Sequence, residues 1–252
     1  MKEKEKEIEE LNLEELQEQI TGKDYEKGIK IDNFQTIFEK EKDWYSKSKK
    51  YWAKAPATIN GMLIGYEHIA EKDHKHSIQF LEPFVSNLSK TNRCALDCAC
   101  GIGRITKNVL MPFFDFIDLV DSEERFLKEA EKNFSNSGKI MNYFCSPLEK
   151  FIPESKKYDL IWIQWVLVYF KDEDLVNLLE KCQSGLKENG LIIIKDETSF
   201  DDQFLYFEED NYLVRSSKHY KAIFQKVGLE VLNESEIDFG DPTCGTTIFA
   251  LK

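Results

Sequence analysis

A doubly wound α/β fold with a mostly parallel sheet is the architecture this sequence predicts, on three observations. Short apolar runs alternate with helical patterns of about ten to fifteen residues through the middle of the chain. A glycine pair, Gly101 and Gly103, follows the first run, and the chain ends on two consecutive strand patterns with no helix between them. Such alternation makes right-handed βαβ units whose parallel sheet is covered on both faces.

Residues 1–32 alternate Lys and Glu, then place Ile8, Leu11, Leu16 and Ile20 at nearly helical spacing before Thr21-Gly22-Lys23. This predicts a charged helical or flexible extension, because fewer than about three heptads are too few for a coiled coil. From Asn33 to Lys54 a second helical pattern carries Phe34, Ile37, Phe38, Trp44, Tyr45 and Trp52, an aromatic load that needs a surface to pack on. A loop at Pro56–Gly65 and a helix over about Ser77–Asn87 complete a helical cap, 33–90.

The core, 91–252, opens on Arg93–Cys98 as a buried strand, and Gly101-Ile102-Gly103 starts a helix to about Phe114. Phe116–Asp121 is the second strand and 122–134 a helix. Met141–Cys145, Tyr158–Gln164 and Leu191–Lys195 are further strands, with a helix over about Asp172–Leu186 and Gly190 as the break before the fifth strand. Leu229–Ile237 and Thr246–Leu251 read as a terminal antiparallel hairpin joined by a Gly-Asp-Pro loop.

The 34 Lys and Arg against 46 Asp and Glu give a formal charge of −12. That argues against general nucleic-acid binding, which needs clustered cations, and favours cationic substrates. No apolar run approaches the roughly 20 residues of a membrane helix; Ile161–Phe170 is shorter and contains Gln164. With no secretory signal pattern, a cytoplasmic or nuclear location is expected. The six cysteines lack C-x-x-C spacing and read as core or incidental thiols, and His74-Lys75-His76 reads as a solvated loop, so no metal is expected.

Asp97-Cys98-Ala99-Cys100-Gly101-Ile102-Gly103-Arg104 lies at the carboxyl end of the first strand, where a doubly wound fold binds its ligand. Gly101 and Gly103 allow close backbone approach, and the next helix offers free N–H groups. Asp121 ends the second strand and is placed to accept the hydroxyls of an adenosine ribose. Thr106 stands where a third glycine would complete a dinucleotide fingerprint, which disfavours NAD. With the terminal hairpin, the pattern resembles the seven-stranded, Rossmann-like class I S-adenosylmethionine methyltransferase fold.

Ala95-Leu96-Asp97-Cys98 with Gly101-Ile102-Gly103-Arg104-Ile105-Thr106-Lys107 closely resembles the protein alpha-N-terminal methyltransferases, which methylate the α-amine of chains beginning Xaa-Pro-Lys or Xaa-Pro-Arg. Trp44-Tyr45-Ser46-Lys47 through Tyr51-Trp52, Gly61-Met62-Leu63, Asn142–Cys145 and Tyr158–Trp165 are similar to further segments of that family. The resemblance implies S-adenosylmethionine held by Ala99, Gly101, Gly103, Asp97 and Arg104, by Asp121 with Ser122, and by Leu148 and Gln164, under Trp52 as a lid. It implies Leu63, Ile69 and Trp165 as substrate-facing, Trp165 against the substrate proline, and Asp210 as the acidic group beside the amine and basic third residue.

Several positions depart from the family pattern. Ala99 and Ile64 replace glycines, Tyr169 stands for a His that assists deprotonation, Glu197 replaces an Asn that grips the peptide backbone, and Cys244 falls where a Tyr is expected. Phe207 faces the family's first substrate-binding Asp, with Glu208 beside it. Three readings stay open: methylation of Xaa-Pro-Lys-type termini with Asp210 as principal base and Tyr169, Glu197 and Glu208 in support; methylation of another amine; or a catalytically weak S-adenosylmethionine-binding partner subunit. The absence of an Asp/Asn-Pro-Pro-Tyr motif and of any basic stripe disfavours a nucleic-acid methyltransferase.

Overall fold

The computed structural model describes residues 28–31, 34–240 and 244–252. Most of the charged extension lies outside them. Its strands are β1 (Ile29–Ile31), β2 (Cys94–Cys98), β3 (Phe116–Asp121), β4 (Ile140–Cys145), β5 (Tyr158–Gln164), β6 (Leu186–Ser199), β7 (Phe204–Phe207), β8 (Tyr212–Ser216), β9 (Val231–Ile237) and β10 (Cys244–Leu251). Strands β4, β3, β2, β5 and β6 run parallel in that order, and β10 and then β9 continue the sheet antiparallel. This is the predicted seven-stranded mixed sheet with its terminal hairpin.

Its central strands are buried on both faces, as their uninterrupted apolar runs require. Alternation of side chains then divides the core in two. Leu96, Ile161 and Ile192 face one layer, with helices α6 (Asp172–Gly185) and α7 (Ser217–Lys226), and Ala95, Leu160, Trp162 and Ile193 face the other, with α4 (Ala70–Val85) and α5 (Glu124–Phe134). Helix α5 shows why it docks: Phe126, Leu127, Ala130 and Phe134 form one buried stripe. Five of the six cysteines are buried and burial pushes up the Cys94 thiol to about 11, so they serve as small core side chains.

The structure differs from expectation in informative places. The cap helix predicted over 33–54 is two helices, α1 (Gln35–Lys40) and α2 (Trp44–Trp52), followed by a short α3 (Ile59–Met62). Helix α4 begins at Ala70, so His74 and His76 sit on a helix rather than in a solvated loop. Gly190 does not end an element: it lies inside β6 at a bulge, where an added Cβ would meet the Tyr158 carbonyl at 2.8 Å. The turns after Gly103 close as a π-helical segment over Thr106–Leu110 instead of a regular helix to Phe114. Unforeseen altogether were α7 and the β7–β8 hairpin, which joins the end of β6 through β8 and carries β1, from the segment assigned to the extension, on its outer edge.

Candidate active site

Parallel register brings the carboxyl ends of β2 and β3 side by side, Cys98 opposite Val120, and so delivers Asp97 and Asp121 to one rim of the sheet. Between them opens a cavity of ≈ 730 Å³. Of the residues expected at the cofactor, Trp52, Asp97, Ala99, Gly101, Arg104, Asp121, Ser122, Leu148 and Gln164 line it, whereas Gly103 does not and packs against the Phe134 ring. Asp121 accepts the backbone N–H groups of Gly101 and Glu123, each at 2.8 Å, which locks the glycine loop to the strand. Burial pushes Asp121 up to about 6.

Asp97 is 2% exposed, accepts the Thr106 hydroxyl at 2.5 Å, and is pushed up to about 7 by burial. A buried carboxylate facing a cavity is a ready partner for a ligand cation. Gly101 and Gly103 have φ of +55° and +84°, and a Cβ would strike Met62 Sδ at 2.5 Å or the Phe134 ring at 2.3 Å. Glycine is required at both for conformation and for space.

Arg104 and Gln164 are engaged differently from expectation. Arg104 Nη1 donates to Asp73 Oδ2 at 2.5 Å and to His74 Nε2 at 2.8 Å, and Gln164 Nε2 donates to both Asp73 oxygens at 3.1 Å. Trp162 Nε1 in turn donates to Gln164 Oε1 at 3.0 Å. Asp73 also pairs with Lys195 at 2.5 Å, and neither side chain has any solvent exposure. Burial alone would raise Asp73, but the Lys195 ammonium and Arg104 guanidinium outweigh it and hold the carboxyl below its usual value. His74, pushed down to about 4 by burial and the Arg104 charge, is neutral and accepts the guanidinium. This network ties the cap helix α4 to the cavity wall, and nothing in the linear sequence joined Asp73 to residues 31 and 122 positions away.

A second cavity of ≈ 420 Å³ meets the first at Trp52, Met62, Trp165 and Tyr169, side chains that line both. Leu63, Ile64 and Ile69 form its cap side, and Glu197, Tyr212, Cys244 and Thr246 its core side. Thus the substrate-facing expectations for Leu63, Ile69, Trp165 and Glu197 all fall on one wall set. Trp165 Nε1 is buried with no hydrogen-bond partner among the described residues, an unsatisfied donor in the shared wall.

Two expected residues are not brought there. Glu208 is exposed on the β7–β8 turn, where its carbonyl accepts Lys47 Nζ at 3.0 Å. Asp210 is 3% exposed, lines neither cavity, and stands behind Tyr169, whose hydroxyl donates to Asp210 Oδ2 at 3.3 Å. The expected direct contact with the amine is not what this placement gives: the four-residue turn of the hairpin, Glu208–Asn211, sets Asp210 behind Tyr169 and out of both cavities. Burial, reinforced by the Asp210 charge, pushes the Tyr169 phenol well above its ordinary value, and the Trp52 side chain hydrogen-bonds to it.

The turn carrying Trp165 and Tyr169 is fixed at both ends. Asp196 accepts the N–H groups of Val166 at 3.2 Å and Leu167 at 2.7 Å, while Arg215, fully buried, donates to the carbonyls of Leu167 at 3.0 Å and Phe170 at 2.5 Å and pairs with Asp172 at 2.8 Å. The cap is pinned to the same turn through Trp44 Nε1, which donates to the Tyr169 carbonyl at 2.6 Å. Asp196 and Arg215 were visible as charges within apolar runs, the one signal that marked them.

Three non-glycine residues at the site hold left-handed backbone: Ile64 at φ +50°, Ala99 at +55° and Trp165 at +52°. The first two are positions where the resembling family has Gly. For a β-branched residue this conformation is strained by about 1–2 kcal/mol or more. Ile64→Gly is expected to raise Tm by about 2–4 °C per kcal/mol released, and a thermal melt with an unchanged or lower Tm would show that the strain is absorbed elsewhere.

The comparisons agree with this geometry. The AdoMet dependent proline di-methyltransferase family matches residues 40–252. N-terminal Xaa-Pro-Lys N-methyltransferase 1-B of Xenopus laevis is 40% identical over 220 residues, which is 86% of this chain and 98% of that protein. The Homo sapiens N-terminal Xaa-Pro-Lys N-methyltransferase 1 is 42% identical over 201 residues, 79% of this chain and 90% of its own. Among solved structures, a SAM-dependent methyltransferase from Leishmania major is 32% identical, with a TM-score of 0.77 over 96% of this chain and 91% of that one. With a match spanning everything from the last residue of α1 to the last residue of the sequence, the chain belongs to the AdoMet-dependent proline di-methyltransferase family.

Proposed function

We propose that this chain methylates the α-amino group of protein N-termini of the Xaa-Pro-Lys/Arg type, with S-adenosylmethionine as methyl donor. The observation that carries the reading is the meeting of two cavities at Trp52, Met62, Trp165 and Tyr169, one rimmed by carboxylates and one walled by apolar side chains. Adjoining cavities suit an in-line transfer, in which aligning acceptor nitrogen and methyl carbon away from water supplies most of the acceleration.

The residues of the larger cavity fit the donor. Asp97 suits its ammonium, Asp121 the ribose hydroxyls, and Leu148 with Phe126 an apolar ring; ≈ 730 Å³ is within the range of cofactor sites. Arg104, already half-balanced by Asp73, contributes its remaining guanidinium donors toward a carboxylate. The donor supplies an electrophilic sulfonium methyl. Trp52 closes over the junction, and Trp165 offers an apolar face for a proline ring and an indole N–H for a peptide carbonyl. Tyr169, its hydroxyl directed by Asp210, bounds the junction and can accept an N–H from the amine, while Asp210 acts only through that hydroxyl.

The reading is tested with labelled S-adenosylmethionine and Xaa-Pro-Lys, Xaa-Pro-Gln and amino-acetylated peptides. Transfer confined to the free-amine Xaa-Pro-Lys peptide is the expected result; cofactor binding without transfer to any peptide would overturn it in favour of a binding subunit. Because Asp210 and Tyr169 act as one unit, Asp210→Asn and Tyr169→Phe are each expected to lower turnover roughly tenfold, with cofactor affinity unchanged and the double variant no worse than either. Additive losses in steady-state kinetics would separate the two residues.

A further inference from the structure

We propose that Glu197 is the catalytic residue that receives the acceptor's α-ammonium and takes its proton. The proposal rests on the methyl-transfer reading above and names the group that reading leaves open. Along β6 side chains alternate, so Lys195 and Glu197 share one face and Asp196 the other. Lys195 reaches Asp73 on α4, Asp196 braces the turn after β5, and Glu197 enters the acceptor cavity.

Among the described residues lining that cavity, Glu197 is the one carboxylate. Its surroundings include Leu63, Ile64, Ile69 and Phe239, and apolar walls strengthen its attraction for a cation compared with open water. It lines the same cavity as Tyr169, which stands in the wall shared by the two cavities. An ammonium held there meets two oxygen acceptors, the Glu197 carboxylate and the Tyr169 hydroxyl.

The proton balance follows. The acceptor arrives as an ammonium, and one N–H proton passes to the Glu197 carboxylate. The amine then turns its freed lone pair from Glu197 to the methyl carbon and forms the nitrogen–carbon bond as the carbon–sulfur bond breaks, the electron pair of that bond stays on sulfur, and the positive charge moves to nitrogen. Protonated Glu197 returns its proton to water before another round.

The titratable groups around Glu197 come from every neighbouring element. Cys244 of β10 donates its Sγ–H to Glu197 Oε2 at 3.7 Å, Tyr169 stands on the turn after β5, Tyr212 on β8, and Asp196 beside it on β6. His68, on the exposed side of the cap, lines the same cavity and is the rival base.

The test is the pH dependence of kcat and kcat/KM with a free-amine Xaa-Pro-Lys peptide for the wild type, Glu197→Gln, Glu197→Asp and His68→Gln. Glu197→Gln should lose at least about tenfold in kcat at pH 7, as for removal of a general base. Above the amine's own pKa of roughly 7.7–8.0 the peptide arrives neutral, so that deficit should shrink by pH 9. Glu197→Asp should recover part of the loss, and cofactor affinity should stay at the wild-type value in both. Wild-type kcat in Glu197→Gln, a deficit equal at every pH, or loss of the pH limb in His68→Gln instead would each overturn the proposal while leaving the methyl-transfer reading intact. Failure of the wild type on every free-amine peptide would overturn both.

Discussion

Asp97→Asn is expected to weaken S-adenosylmethionine binding by at least about thirtyfold at pH 8, or about 2 kcal/mol, the lower end for removing one member of a buried charge pair. The substitution keeps an oxygen for the Thr106 hydroxyl, so the loop after β2 stays in place and the loss reports charge. Burial sets Asp97 at about 7 before ligand arrives, and a ligand ammonium prefers the ionised carboxylate. Wild-type affinity should therefore fall roughly tenfold between pH 8 and pH 6, as protonation of a group near 7 consumes the binding form. Asp121, at about 6, adds to the fall only at the acid end of that window. Titration calorimetry from pH 6 to pH 8 decides the point: Asp97→Asn should show a flatter profile, and a wild-type slope retained in the variant would move the titrating group elsewhere.

What the sequence made legible was whatever depends on local period. Tyr158–Gln164 is the same strand in expectation and structure because a fully buried parallel strand announces itself as an unbroken apolar run. Asp97, Gly101 and Asp121 were placed correctly because a doubly wound fold puts strand ends at one rim, so position in the chain fixes position in the site. Side-chain direction at a turn has no such rule. Asp210 was expected beside the amine from the family resemblance alone, yet the hairpin that contains it, Phe204–Phe207 with Tyr212–Ser216, sets it behind Tyr169. Long-range pairing was equally hidden, since Asp73 sits in a helix whose pattern shows only an Asp among charged residues. The two left-handed residues Ile64 and Ala99 fall between these cases: the resembling family's glycines marked the positions, but only the backbone showed that this chain keeps the glycine conformation without the glycine.

Asp73→Ala is expected to cost about 3–5 kcal/mol of folding stability, because it strands the Lys195 ammonium without its partner in a fully buried position and removes the Arg104 partner as well. Against a typical total of about 5–15 kcal/mol, that is enough to lower Tm by on the order of 10 °C. Lys195→Met should cost less, since Asp73 would still face Arg104 and both Gln164 bonds while an apolar side chain fills the Lys195 space. The pH dependence has a definite sign. Asp73 is held below its unfolded value by its two cations, so its contribution is present above roughly pH 3.9 and is lost as pH falls through its folded value. Urea unfolding at pH 7 and pH 3 should accordingly show a large gap between wild type and Asp73→Ala that narrows in acid. An equal midpoint at pH 7 would show that Lys195 deprotonates at no cost. The same variant should also weaken cofactor binding, because Arg104 and Gln164 reach the cavity wall from their bonds to Asp73 and lose that anchor together.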